Sequence, residues 1–170
     1  MNILYKLLLT INATSWMGII YAIKEGVTIG TMPTWLFDIL LLFVPIVLSI
    51  VSLLISRFLP KESLEGCAEI SLADGEFLPV YLGYFFVSVG VGDNLTMLII
   101  FIIVFVFTFI SQTQYFNPIF LLLGYHYYHI LTCNGTKIFI IKKGKVARKA
   151  SEFSVNNLHR INDTTFVERR

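Results

Sequence analysis

Long uncharged apolar runs dominate this chain, and nothing else restricts its fold as strongly. Residues 98–107 read LIIFIIVFVF, ten positions without one polar side chain. A membrane-crossing helix needs about 20 mostly apolar residues, with about 17–25 observed. Four stretches approach that length: 4–23, 35–56, 78–91 and 95–111. The 170 residues are 56% hydrophobic and 14% charged, with mean hydropathy +0.76, whereas a soluble domain carries about 25% charged residues. A water-soluble fold of this size cannot keep so much Leu, Ile, Val and Phe off its surface. Disorder and a disulfide-rich secreted scaffold are excluded by 15% aromatic residues and only two cysteines. The runs are continuous instead of alternating, which argues against a membrane β-barrel.

The third and fourth stretches together are too long for one span. Between them lies Gly90-Val91-Gly92-Asp93-Asn94, whose glycines and Asx residues favour a tight turn and whose Asp93 is costly in hydrocarbon. The pair therefore reads as a helical hairpin. Basic residues then set the orientation. With four spans and the N-terminus inside, inward segments hold twelve Lys/Arg and outward loops only Lys24. Lys6 ahead of an apolar stretch also resembles the start of a signal peptide, but the stretch is long for one and has no clear Ala-x-Ala site, so a retained helix is expected.

Charge is divided along the chain. Residues 1–136 carry four Lys/Arg and eight Asp/Glu, while residues 137–170 carry nine and three. Two surroundings are implied. The expected fold class is an all-α membrane protein: a four-helix transmembrane bundle over residues 1–114, followed by a small, basic, β-rich cytoplasmic domain over 115–170. In that second part Asn134-Gly135 between β-rich runs is a hairpin signal, pairing Cys133 with Thr136, Leu131 with Ile138 and His129 with Ile140. Lys142-Lys143-Gly144-Lys145 marks a further turn, and residues 158–167 can supply another strand.

Several residues stand out chemically. Asp38, near the outer end of the second span, is an intramembrane polar candidate for a proton or cation site; equally, it sits one turn inside the Trp35 anchor, where a carboxylate is cheap. Pro45 interrupts the same helix. Thr14 and Gly18, four apart on the first span, form a small-residue face suited to another protomer or to packing within one bundle. His126, His129, Cys133 and His159 lack any ligand-pair spacing, so no metal and no cofactor is expected. Cys67 and Cys133 fall in inward segments and should stay reduced. No nucleophile triad, His-Glu-x-x-His or phosphate loop is present, and no enzyme activity is expected.

Two inward segments remain to meet a partner. The loop at 59–76 carries Glu62, Glu65, Glu69, Asp74 and Glu76, with Leu72 and Phe77 as apolar neighbours. The tail carries Lys142, Lys143, Lys145, Arg148 and Lys149, with Phe153, Leu158 and Phe166 interleaved. Complementary charge steers docking and apolar residues anchor it. The basic segment also suits anionic membrane lipid; direct nucleic-acid binding is not expected, for no recognition motif is present.

The short spans, the segment Leu72-Ala73-Asp74-Gly75-Glu76-Phe77-Leu78-Pro79-Val80-Tyr81-Leu82-Gly83-Tyr84-Phe85-Phe86, and a tail with Asn117-Pro118, Gly124-Tyr125, Gly135 and Asn157-Leu158-His159-Arg160-Ile161-Asn162-Asp163 together resemble the membrane subunit family of the bacterial Kiwa anti-phage defence system. The resemblance covers essentially the whole chain. It implies a homo-oligomeric inner-membrane protein that senses phage attack at the envelope and works with a soluble DNA-binding effector subunit. It transfers no set of functional residues. The expected function is a sensor and assembly platform in the inner membrane, both termini cytoplasmic; a small oligomeric ion channel or transporter is the alternative.

Overall fold

The computed structural model describes residues 3–63, 66–111, 116–147, 149–150, 153, 155 and 157–168. Helix α1 (Ile3–Lys24) and helix α2 (Thr34–Ile55) are followed by a 3₁₀ turn and two strands, β1 (Lys61–Glu62) and β2 (Cys67–Leu72). Helices α3 (Phe77–Gly90), α4 (Asn94–Ser111) and α5 (Pro118–Leu122) come next, then strands β3 (Tyr125–Thr132), β4 (Lys137–Lys143), β5 (Leu158–Arg160) and β6 (Thr165–Glu168).

Three helices, α1, α2 and α4, are long and apolar enough to cross a membrane. Helix α3 is not: its 14 residues span about 21 Å at 1.5 Å per residue, short of a hydrocarbon core of about 30 Å. The apolar helices do not form a symmetric bundle. Helices α2, α3 and α4 each pack on α1, and hardly on one another. Accordingly Tyr5, Leu9, Ala13 and Met17 of α1 are buried, whereas Met97 is the buried residue of α4 and Leu98, Ile99, Ile102, Ile103, Phe107 and Ile110 face outward. Most hydroxyls of these helices are turned to their own backbones. Thr10 donates to the Lys6 carbonyl and Thr14 to the Thr10 carbonyl, both at 2.9 Å, and Ser15, Ser52 and Thr108 do the same three or four residues back.

The strands form one six-stranded mixed sheet in the order β1-β5-β6-β4-β3-β2, parallel only between β4 and β6. This corrects the expected all-α bundle with a small β-rich tail. The acidic loop is itself part of the sheet, β1 pairing with β5 and β2 with β3 at the two edges. Its strand signal was masked because β2 is an edge strand on which only Cys67 and Ile70 are half-buried, so no clean alternation of apolar residues appears.

The hairpin register also differs from expectation by one residue. Ile130 pairs with Ile138, His129 with Phe139 and Leu131 with Lys137. Thr132 N–H donates to the Thr136 carbonyl and Gly135 N–H to the Thr132 carbonyl, and Gly135 sits at φ +78°. The turn thus has three residues ending in a left-handed glycine, in place of the two-residue turn assumed from Asn134-Gly135. The slip decides the faces, because strand side chains alternate. Tyr128, Ile130, Ile138 and Ile140 join Phe153, Leu158 and Phe166 on one face, under Ala147 and Val155. Tyr127, Phe139, Ile141 and Val167 line the other, against Tyr5 and Leu9 of α1, Leu53 and Ile55 of α2, and Phe116 and Phe120.

Candidate functional site

The sheet is joined to the helices by a small buried polar node. Asn117 is the N-cap of α5: its Oδ1 accepts from Ile119 N–H at 2.9 Å, with Pro118 in the first helical position, where its missing N–H costs nothing. Its Nδ2 donates to Ser49 Oγ of α2 at 2.8 Å, and Asn12 Nδ2 of α1 donates to the same oxygen at 3.1 Å. The backbone N–H of Asn117 donates to the Tyr127 hydroxyl at 2.8 Å, and that hydroxyl donates to the Asn117 carbonyl at 2.9 Å. Burial holds the Tyr127 phenol far above its ordinary value, with the Asn117 backbone bond pulling the other way and Asp74 adding to the rise. Three helices and the sheet are therefore pinned at one point. No sequence pattern announced this. Asn-Pro signals only the cap.

A second joint ties the start of α3 to β3. Asp74 Oδ2 lies 2.6 Å from His126 Nδ1 and its Oδ1 accepts from Tyr127 N–H at 2.7 Å, while both Glu76 oxygens lie 3.1 Å from His129 Nε2. His159 Nδ1 lies 2.8 Å from the Leu59 carbonyl. The four residues weighed as a metal set thus lie on separate partners or positions, and among the described residues no group of three or more His, Cys, Asp or Glu is placed to hold an ion.

The anticipated partner-binding residues divide into two groups. Glu69, Leu72 and Glu76 are exposed along the β2 side of the sheet, Glu62 is exposed on β1 within 3.8 Å of Arg160, Lys143 is exposed at the last position of β4, and Lys145 and Lys149 are exposed beyond it. Asp74 and Phe77 are half-buried. Phe153, Leu158 and Phe166 belong to the sheet's core. Lys142 is buried too, its ammonium 3.0 Å from Glu168 and over the Phe153 ring. Glu65 and Arg148 lie outside the described residues. Val146, 40% exposed, stands among the exposed lysines and was not anticipated.

Within the apolar helices, Thr14 is fully buried, and a side-chain carbon at Gly18 would meet the Phe101 ring of α4 at 3.9 Å. That face is used inside the protomer. Asp38 is half-buried near the start of α2, and its Oδ1 has no hydrogen-bond partner among the described residues.

A family model described as anti-phage protein KwaA matches residues 5–167. No curated protein and no solved structure matches the chain significantly.

Proposed function

The chain belongs to the KwaA family of anti-phage proteins, and from that premise we propose that it is a non-enzymatic membrane platform that senses phage attack and holds a soluble effector against the inner face of the membrane. The observation that carries this reading is the single sheet built from both polar segments and seated on the ends of the apolar helices. Such a sheet is fixed to α1, α2 and α5 by the Asn117 node, and acidic Glu62, Glu69 and Glu76 and basic Lys137, Lys143 and Lys145 are exposed on and beside it. Exposed charge of this kind orients a docking protein more than it binds it. Exposed Leu72 and Val146 supply apolar contact.

In this reading the apolar helices lie in the membrane and both termini are cytoplasmic, as the basic residues favour. Protomers associate through the outward faces of α2 and α4, since α1 is enclosed by its own neighbours. The effector is a soluble DNA-binding protein. A channel is less well supported, because the hydroxyls of Thr10, Thr14 and Ser15 are turned to backbone carbonyls and line no path.

The test is purification of the tagged chain from its native cell in mild detergent. A soluble protein at near-stoichiometric level, needed for phage protection, is expected; protection by the chain with no soluble companion would overturn the reading.

A further inference from the structure

The chain's only two cysteines, Cys67 and Cys133, are 66 positions apart in sequence and lie near one another at one corner of the sheet, since Cys67 pairs with Thr132. Cys67 opens β2, where its ladder partner is Thr132; Cys133 is the next residue, the first of the β3–β4 turn. The corner is shaped around the second sulfur. Gly66, at φ +73°, carries no side chain, and a methyl built there would lie 2.7 Å from Cys133 Sγ. That sulfur therefore lies over the α-carbon of the residue adjoining Cys67. A break in the ladder between Cys67 and Glu69 loosens β2 at the same place. Both thiols are free, Cys133 exposed and Cys67 half-buried with its Sγ 3.4 Å from the Glu69 carbonyl.

We propose that Cys67 and Cys133 are a reversible dithiol–disulfide site, oxidised by hydrogen peroxide and reset by cellular thiols. The supporting chemistry assigns the order of attack. Burial, and then the neighbouring Cys133, push the Cys67 thiol up, so the exposed Cys133 is the first nucleophile. Its thiolate attacks the peroxide, breaking the O–O bond; Cys133 becomes a sulfenic acid and the other oxygen leaves as water after taking a proton. The Cys67 thiolate then attacks the Cys133 sulfur, the S–S bond forms and the sulfenic oxygen departs as a second water. Two electrons pass from the sulfurs to the peroxide, and thiol–disulfide exchange with a reducing pool returns both thiols. In the oxidised form the edge strand β2 is tied to the β3–β4 turn. In a cytoplasmic segment such a bond is a transient signal and not a structural staple. The chemistry is independent of the docking reading, since it is read on the purified chain.

The full chain in detergent is treated with hydrogen peroxide, quenched, denatured and alkylated with N-ethylmaleimide, and its intact mass recorded. Two adducts are expected before treatment; afterwards both are lost, the mass falls by two hydrogens, and a reductant restores both. In Cys67→Ser the remaining thiol is expected to give a dimedone adduct that the parent chain lacks. Gly66→Ala, which crowds the Cys133 sulfur, is expected to slow closure of the bond. Both variants are checked for native circular dichroism. Retention of both adducts under peroxide, equal dimedone trapping in parent and variant, or a disulfide found only between chains on a non-reducing gel would overturn the proposal.

Discussion

Asn117 and Ser49, 68 positions apart in sequence, are joined by a 2.8 Å hydrogen bond in which the asparagine amide donates to the serine hydroxyl. The hydroxyl also accepts from Asn12 and gives its own proton to the Pro45 carbonyl at 2.6 Å, so its capacity is full. Ser49→Ala removes the shared acceptor and leaves two amides stranded in a buried setting. A loss of about 1–3 kcal/mol per unsatisfied donor is expected. Thermal unfolding in detergent checks it, and a double-mutant cycle with Asn117→Ala should show coupling of about 0.5–3 kcal/mol. Simple additivity would mean that the two side chains act independently.

Tyr127 gives the joint a pH signature. Burial holds its folded-state phenol well above the ordinary value, which is about 10. The unfolded chain therefore ionises first as pH rises, so the stability this group contributes is whole below about pH 10 and drains above it. Burial raises the Tyr128 phenol in the same direction. Melting temperature should fall steeply on the alkaline side, and more shallowly in Tyr127→Phe, which at neutral pH is already weakened by loss of its bonds to the Asn117 backbone. An unchanged alkaline slope in the variant would remove Tyr127 as the cause.

Lys142 and Glu168 make a buried pair 3.0 Å apart across β4 and the C-terminal end of β6. Taking away one member leaves the other charged and enclosed. Lys142→Met or Glu168→Gln alone is expected to cost about 3–5 kcal/mol, and the double variant much less. Equal losses in the single and double variants, by chemical denaturation, would contradict the pairing.

Gly18 and Thr14 differ in how much they tolerate. The site at Gly18 has ordinary van der Waals room, so Gly18→Ala should be neutral within about 0.5 kcal/mol or mildly stabilising in a helix. Thr14 is fully enclosed, and Thr14→Leu overpacks it at about 1–3 kcal/mol. Thermal shift on each variant separates the two. Comparable destabilisation by both would mean that the Phe101 ring leaves no room at Gly18.

Apolar helices were legible because continuous hydrophobic runs have few other uses, and the break at Gly90-Val91-Gly92-Asp93 because Gly and Asx favour a turn and Asp93 is costly in hydrocarbon; in the structure Asp93 also caps the next helix, accepting from Thr96 N–H at 2.8 Å. The β-rich character of residues 125–143 was legible from its turn and its Ile and Tyr content. The role of 61–72 was not, because an edge strand lined with Glu69, Ser71 and Leu72 has no buried face to imprint a period. Charge was readable, but side-chain direction was not. Phe153, Leu158 and Phe166 looked like surface anchors and are core: the register of β4 with β6 and of β6 with β5 sets the face of Leu158 and Phe166, and Phe153, outside the strands, packs into the same cluster. The Asn117–Ser49 contact depends on how α5 meets α2, and sequence carries no local trace of that.

The proposed platform requires that the sheet's surface, and not its mere presence, recruits the effector. Deleting residues 137–170 would remove β4, β5 and β6 and destroy the sheet itself, so the decisive measurement is Lys143→Glu, Lys145→Glu and Lys149→Glu combined in the intact chain, at exposed positions outside the core. Partner retained on the purified protein and plaque protection are read together, with the melting temperature as control. Loss of both is expected, while the fold melts as the parent does. Full protection with the usual partner still bound would rule out recruitment by this surface.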